Sequence, residues 1–300
     1  MENQIFTNTN VLAWLQYFSE NTELDLGHVK ILDITKKNKN LIPAVEAHRS
    51  VLVLTEAGDQ DIFYRMYHAG LGECTVIYNE VSEPEGPVKK HSVASMMDRG
   101  INASAGMVVL NPNARTTVKF GMDNRSFATG SVRFVGSEIR TILLSKMQLT
   151  EGKNICVISG ESIAIEAAIQ DGEGTVIAVE YSKSDRSTLE QNVSQFGLNN
   201  VKIIDHVDEE NFKGLPVPEV TMLVASASME QEMKYLLSLN PQMEFVIYTL
   251  DFVVAASMPK LFQELGLGDP EIIQMTISKL TSKNTYRTEP APWIISGKAE

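Results

Sequence analysis

NICVISGESIAIEAA, residues 154–168, sets out a strand, a tight turn and a helix in one short run. The β-branched stretch Ile155-Cys156-Val157-Ile158 suits a buried strand, Ser159-Gly160-Glu161-Ser162 forms the turn, and Ile163 to Ala168 opens a helix of small residues. Many α/β folds hold a phosphate or an adenosine at this junction, because a helix N-terminus presents free N–H groups beside a strand end. Such turns usually carry two or three glycines, since backbone must approach a ligand closely at dihedral angles that glycine reaches most easily. Here Gly160 stands alone.

Downstream of this stretch the β/α alternation continues. Helix is expected over 137–148, 162–170, 184–197, 229–239 and 254–266, and strand over 154–158, 175–180, 201–205, 221–227, 244–250, 271–280 and 292–298. Five strands alternating with helices, followed by a hairpin-like end, predict a doubly wound, seven-stranded Rossmann-like sheet whose final strand is antiparallel. That is the element order of a class I methyltransferase. Upstream, the periodicity predicts helices over 8–20, 41–48 and 59–72, the last with Ile62, Met66 and Ala69 on one stripe and a glycine stop. Strands are expected over 28–35, 51–58 and 73–81. SVASMMDRG then reads as helix and MVVLNPN as strand, completing a smaller mixed α/β layer. Residues 114–135 are polar and without period, so the expected domains are 1–115 and 116–300.

With 43% hydrophobic residues the chain can bury a full core. A net charge of -12 leaves no electrostatic footprint for nucleic acid or an anionic membrane surface. The basic run Lys36-Lys37-Asn38-Lys39 is short and reads as a solvated loop. Cys74 and Cys156 lie in apolar strands and read as free buried thiols, with no spacing that suggests a metal. MENQIFTNTN has no signal-peptide pattern and no stretch is apolar enough to span a membrane, so a cytoplasmic protein is expected.

Four places along the strand ends invite a ligand. Ser159, Gly160, Glu161 and Ser162 form the turn itself. Glu180 ends the next strand about 20 residues after Gly160, the spacing at which a carboxylate accepts hydrogen bonds from a ribose diol. Asp205 and Asp208, flanking His206, follow the third strand, where an acid can meet an adenine amino group. Ser226 and Ser228 end the fourth strand on the substrate side but supply no general base, and no catalytic residue is identified. Hydrolytic chemistry has no support, whereas methyl transfer needs positioning more than acid–base help.

Particular segments carry a family likeness. GMDNRSF (121–127), SEIRTILLSKMQLTEGKNI (137–155), IEAA (165–168), VIAVE (176–180), NVSQFGLNNVKII (192–204) and APWIISGK (291–298) together resemble the decarboxylating precorrin-6Y methyltransferases of cobalamin biosynthesis. VLVLTEAGDQDIFYRMYHAGLGECTVIYNE (51–80) resembles the C-terminal lobe of the tetrapyrrole methylase that partners them, and the chain is expected to begin midway through that partner, without its N-terminal lobe. The resemblance implies S-adenosylmethionine as cofactor, a tetrapyrrole as small-molecule partner, and methylation at carbon 15 with loss of carbon dioxide. It also implies a homo-oligomer.

The chain departs from that family at the strand ends. The glycine-rich turn is about two residues shorter and keeps one glycine. Val135-Gly136 replaces Thr-Lys, Ala225-Ser226-Ala227-Ser228 replaces a glycine-rich stretch, and only Glu180 matches cleanly. Glu161 adds a negative charge where a methionine carboxylate would lie, a repulsion expected to weaken the cofactor and to be relieved in Glu161→Gly. Two readings therefore stand side by side: a precorrin methyltransferase, and a non-catalytic homologue that oligomerises or holds a tetrapyrrole.

Overall fold

The computed structural model describes residues 9–35, 39–55, 61–97, 105–115, 121–129, 135–150 and 152–299. The chain divides into two compact units, residues 1–118 with 194–199, and residues 119–193 with 200–300.

The first unit runs α1 (Thr9–Asn21), β1 (Val29–Asp33), α2 (Leu41–Ala47), β2 (Ser50–Leu54), α3 (Ile62–Met66), β3 (Thr75–Tyr78), β4 (Lys89–Ser92), α4 (Val93–Met96) and β5 (Gly106–Leu110). Its five strands lie in the order β1-β2-β5-β3-β4, and only β1 and β2 are parallel. Val51, Val53, Val76 and Val109 point to one face with Phe63 and Met66. Leu52, Ile77 and Val108 point to the other, beneath Trp14 and Phe18 of α1. Period-2 alternation with both faces apolar is what a covered central strand requires. Trp14 comes so close to β5 that a Cβ on Gly106 would stand 2.5 Å from its ring.

Two features differ from expectation here. The helix expected over 59–72 is regular only to Met66. Residues 67–71 widen into a π-type turn in which Gly70 takes φ +81°, and residues 56–60 lie outside the described ones. Strand β4, KKHS, has no apolar alternation to betray it; it pairs only with β3 at the sheet edge, where charge is tolerated.

The second unit runs α5 (Ser137–Lys146), β6 (Ile155–Ile158), α6 (Glu161–Gln170), β7 (Val176–Val179), α7 (Lys183–Gln195), β8 (Val201–Ile204), α8 (Glu209–Phe212), β9 (Val220–Val224), α9 (Met229–Leu239), β10 (Glu244–Thr249), α10 (Phe252–Glu264), β11 (Glu271–Gln274), β12 (Ser278–Leu280), β13 (Tyr286–Thr288) and β14 (Trp293–Gly297). Seven strands form one sheet in the order β11-β14-β10-β9-β6-β7-β8. From β10 through β9, β6 and β7 to β8 every pairing is parallel, while β14 runs antiparallel to both β10 and β11. Numbered from β6 along the chain, the order is that of a class I methyltransferase. Strands β6 and β7 are buried at every position, as central parallel strands flanked by helices must be.

The strand expected over 271–280 is broken. β11 pairs with β14 to Gln274, after which the Met275 amide donates to Pro292 and the chain leaves the sheet. β12 and β13 then form a separate two-stranded hairpin with every residue exposed. Among the described residues no helix is long and apolar enough to cross a membrane.

Candidate functional site at the carboxyl edge of the second sheet

The parallel register aligns the ends of β6, β7 and β9, with Ile158 opposite both Val179 and Leu223. All the residues singled out in the sequence except the Asp205–Asp208 group therefore leave the sheet beside the two central crossovers. The Ser159 amide still donates to Val179 O at 3.0 Å, and then the chain turns with Ser159 at φ +56°. This is a left-handed conformation that residues with a Cβ rarely adopt. Gly160 follows at φ -136°, and its carbonyl accepts the first helical N–H bonds of α6 at 2.9 Å from Ile163 and Ala164. A Cβ on Gly160 would meet Val157 Cγ1 at 2.7 Å. The lone glycine is thus required where α6 presses onto β6, while a serine occupies the left-handed position that a second glycine would ease.

Glu161, in the first turn of α6, is only 5% exposed, and both its carboxylate oxygens are buried without a hydrogen-bond partner. Burial, and then the nearby Asp185, push its carboxyl up to about 7. Glu180 is equally buried at the end of β7 and accepts the Gly160 N–H. Burial, followed by the charges of Glu161 and Asp185, pushes it up to about 8. Asp185 is itself buried in the first turn of α7. Three carboxyl groups from α6, β7 and α7 therefore face one another. Arg186, one residue on, turns to the backbone carbonyls of Glu180 and Tyr181 at 2.8 and 2.9 Å. Among the described residues no group of three or more His, Cys, Asp or Glu is arranged to hold a metal ion.

A second polar centre lies between the ends of β7 and β9. The Ser228 hydroxyl donates to Glu232 Oε1 at 2.6 Å and lies 3.0 Å from the Ser226 hydroxyl. The Tyr181 hydroxyl donates to the same carboxylate oxygen, and burial of the ring with the adjoining carboxylate raises the phenol. Glu232 is 4% exposed, and its Oε2 is buried without a partner. Ser226 and Ser228 thus do have a carboxylate beside them, one the sequence reading missed. The signal was present as Ser228 and Glu232 four residues apart across the start of α9. Asp185 was missed because an acid in a first helical turn is ordinary helix chemistry.

The third predicted group is built differently. Asp205 and His206 form an exposed pair at 3.1 Å that lowers the aspartate. Asp208 caps α8, accepting the Asn211 amide at 2.9 Å, which lowers it too. Neither carboxylate joins the buried cluster of Glu161, Glu180 and Asp185.

Behind the turn lies a buried ion pair. Arg140 Nε donates to Glu166 Oε2 at 2.6 Å with both side chains fully enclosed. The guanidinium also reaches Asn124, the carbonyls of Val135 and Met122, and Ser162 Oγ at 3.3 Å, and it lies over the Phe127 ring. Glu166 in turn accepts the amides of Gly121 and Met122. This network joins GMDNRSF, the EIR of α5 and the IEAA of α6 around the back of the turn.

A family model described as the precorrin methyltransferase domain matches residues 129–288, more than half of the chain. A protein of Sulfurisphaera tokodaii named as a cobalt-precorrin-6B C(15)-methyltransferase (decarboxylating) is 43% identical over 84 residues, which cover 24% of this chain and 44% of that protein. The match thus spans less than half the length of this curated relative. Among solved structures, a precorrin-6Y C5,15-methyltransferase from Geobacter metallireducens superposes with a TM-score of 0.56 at 19% identity, covering 60% of this chain and 98% of that one. A precorrin-8W decarboxylase from Methanobacterium thermoautotrophicum gives 0.53 at 15% identity, with 59% and 100% covered. At these identities the superpositions speak to the fold.

Proposed function

The chain belongs to the precorrin methyltransferase domain family, and from that premise we propose that its second unit transfers a methyl group from S-adenosylmethionine to carbon 15 of a tetrapyrrole, with decarboxylation, in cobalamin biosynthesis. One observation carries the reading. The Gly160 turn and the buried Glu180 meet at the carboxyl edge of a sheet in methyltransferase order, where open α/β sheets take their ligands. The residues present fit the cofactor: Glu161 has two orphaned acceptor oxygens, and Glu180 offers its remaining acceptor capacity to a diol. The cofactor supplies an electrophilic methyl on a sulfonium. Glu180 would hold its ribose, the α6 N-terminus and Glu161 its amino-acid end, and Ser226, Ser228 and Tyr181 would line the acceptor side.

Leu250, Phe252 and Val253 are exposed where β10 gives way to α10, and Phe252 stands 5.7 Å from Trp293. An apolar rim on the same edge suits a large flat macrocycle. The turn makes the cofactor weaker than a glycine-rich loop would, because Ser159 and Glu161 stand where glycines would let backbone approach it closely. We further take residues 1–115 as a tetrapyrrole-methylase-like lobe and the protein as cytoplasmic, which its two free, buried cysteines support. The exposed Leu280 and Tyr286 of the β12–β13 hairpin support self-association.

The test is ligand-linked melting with S-adenosylmethionine and S-adenosylhomocysteine, followed by mass analysis of a precorrin product. Ligand at 100 times its dissociation constant adds ~2.7 kcal/mol of stability. No shift at millimolar ligand sinks the enzyme reading and leaves a non-catalytic homologue.

A further inference from the structure

Helix α9 buries Met229, Met233 and Leu236, and the fourth residue on that stripe is an acid, Glu232. An enclosed carboxylate on an apolar face is destabilising unless donors surround it, and Glu232 has them on one oxygen only. Ser228 and Tyr181 both donate to Oε1, while Oε2 is buried without a partner. Helix capping does not account for the arrangement: Ser228 is the N-cap of α9, yet its hydroxyl makes no capping bond and turns to Glu232. Each hydroxyl owns a single proton. Because Ser228 gives its own to Glu232, Ser226 is the donor in their 3.0 Å contact. The hydrogen bonds therefore run one way, from exposed Ser226 through half-buried Ser228 to enclosed Glu232.

That direction is the one in which a proton is drawn from a ligand at the strand ends, and the proposed reaction has such a proton. A ring carbon that takes a methyl group from a sulfonium supplies both electrons of the new bond, so the macrocycle is a cation until a proton leaves it. When the acetate carboxylate departs as carbon dioxide, the electron pair of the broken C–C bond stays on the side-chain methylene carbon. That carbon becomes a methyl group by taking up a proton. One proton leaves and one returns, with no oxidant or reductant. Resting on the reading above, we infer that Glu232 holds this proton between the two steps, taking it from the macrocycle through Ser226 and Ser228 and returning it by the same hydroxyls. Tyr181 clamps the carboxylate from the end of β7.

Deuterium exchange with no methyl donor present tests this on the whole chain, since a ring carbon nucleophilic enough for a methyl group also takes a deuteron. A precorrin bearing the acetate side chain is incubated with the protein in heavy water and its mass followed. The native chain should add one mass unit about a hundredfold faster than Glu232→Gln. With S-adenosylmethionine added, kcat for carbon dioxide release should fall by a similar factor in Glu232→Gln, with KM for the methyl donor unchanged, and Glu232→Asp should recover part of it. Exchange at the native rate in Glu232→Gln overturns the inference, as does a loss of activity carried by KM alone. A native chain that methylates the precorrin but exchanges no deuterium overturns the proton role alone. One that neither methylates nor exchanges overturns the methyltransferase reading with it. If Glu232→Gln does not fold, Ser228→Ala breaks the same path, and native exchange in that variant overturns the inference.

Discussion

Ser159 holds φ at +56° between a strand that still pairs and a helix that has begun. For a residue with a Cβ this geometry costs on the order of 1 kcal/mol, so Ser159→Gly should be neutral to stabilising by up to about that amount in urea unfolding. Gly160 behaves oppositely. With Val157 Cγ1 2.7 Å from where its Cβ would stand, Gly160→Ala should destabilise by about 1–3 kcal/mol through overpacking and should push α6 away from β6. An unchanged unfolding midpoint would show that the helix end yields freely. The sequence exposed the type of this turn but not the assignment of its residues. A reader sees one glycine and three polar residues; only coordinates show that the glycine answers a packing contact, the first serine carries the left-handed angle, and Glu161 points inward.

Helices α5 and α6 are joined by the enclosed pair of Arg140 and Glu166. Removing one partner leaves the other charged and enclosed, so Arg140→Met should cost about 3–5 kcal/mol, and Arg140→Met with Glu166→Leu should cost less than that single change. Denaturant unfolding of the three variants measures this, and a double variant worse than Arg140→Met would contradict it. EIR and GMDNRSF were legible as family segments, yet nothing in their spacing said that the arginine of one serves the Met122 carbonyl and the Asn124 side chain of the other. The broken strand over 271–280 has a similar cause. Its residues suit a strand throughout, but the pairing partner β14 reaches only to Gln274, and pairing sets strand length.

At the scale of the molecule, buried acids make stability depend on pH. Glu161 and Glu180 hold protons in the folded chain at pH values where the unfolded chain has released them. Their contribution is fully present below the ordinary carboxylate range and is lost as pH rises through about 7 and about 8. Melting temperature should therefore rise by a few degrees from about pH 8.5 to about pH 6, and Glu161→Gln should flatten that rise. An equal rise in the variant would assign the effect to the net charge of -12 instead. The seven strands of the second unit's sheet in chain order, the antiparallel last one and the acid at the end of β7 were determined by sequence, because hydrophobic period and turn chemistry are local properties of a chain. The meeting of Glu161, Glu180 and Asp185, the carboxylate beside Ser228 and the ion pair behind the turn were decided by tertiary structure alone. They depend on which strands lie side by side and which polar groups lose their water, and neither is written at any single position.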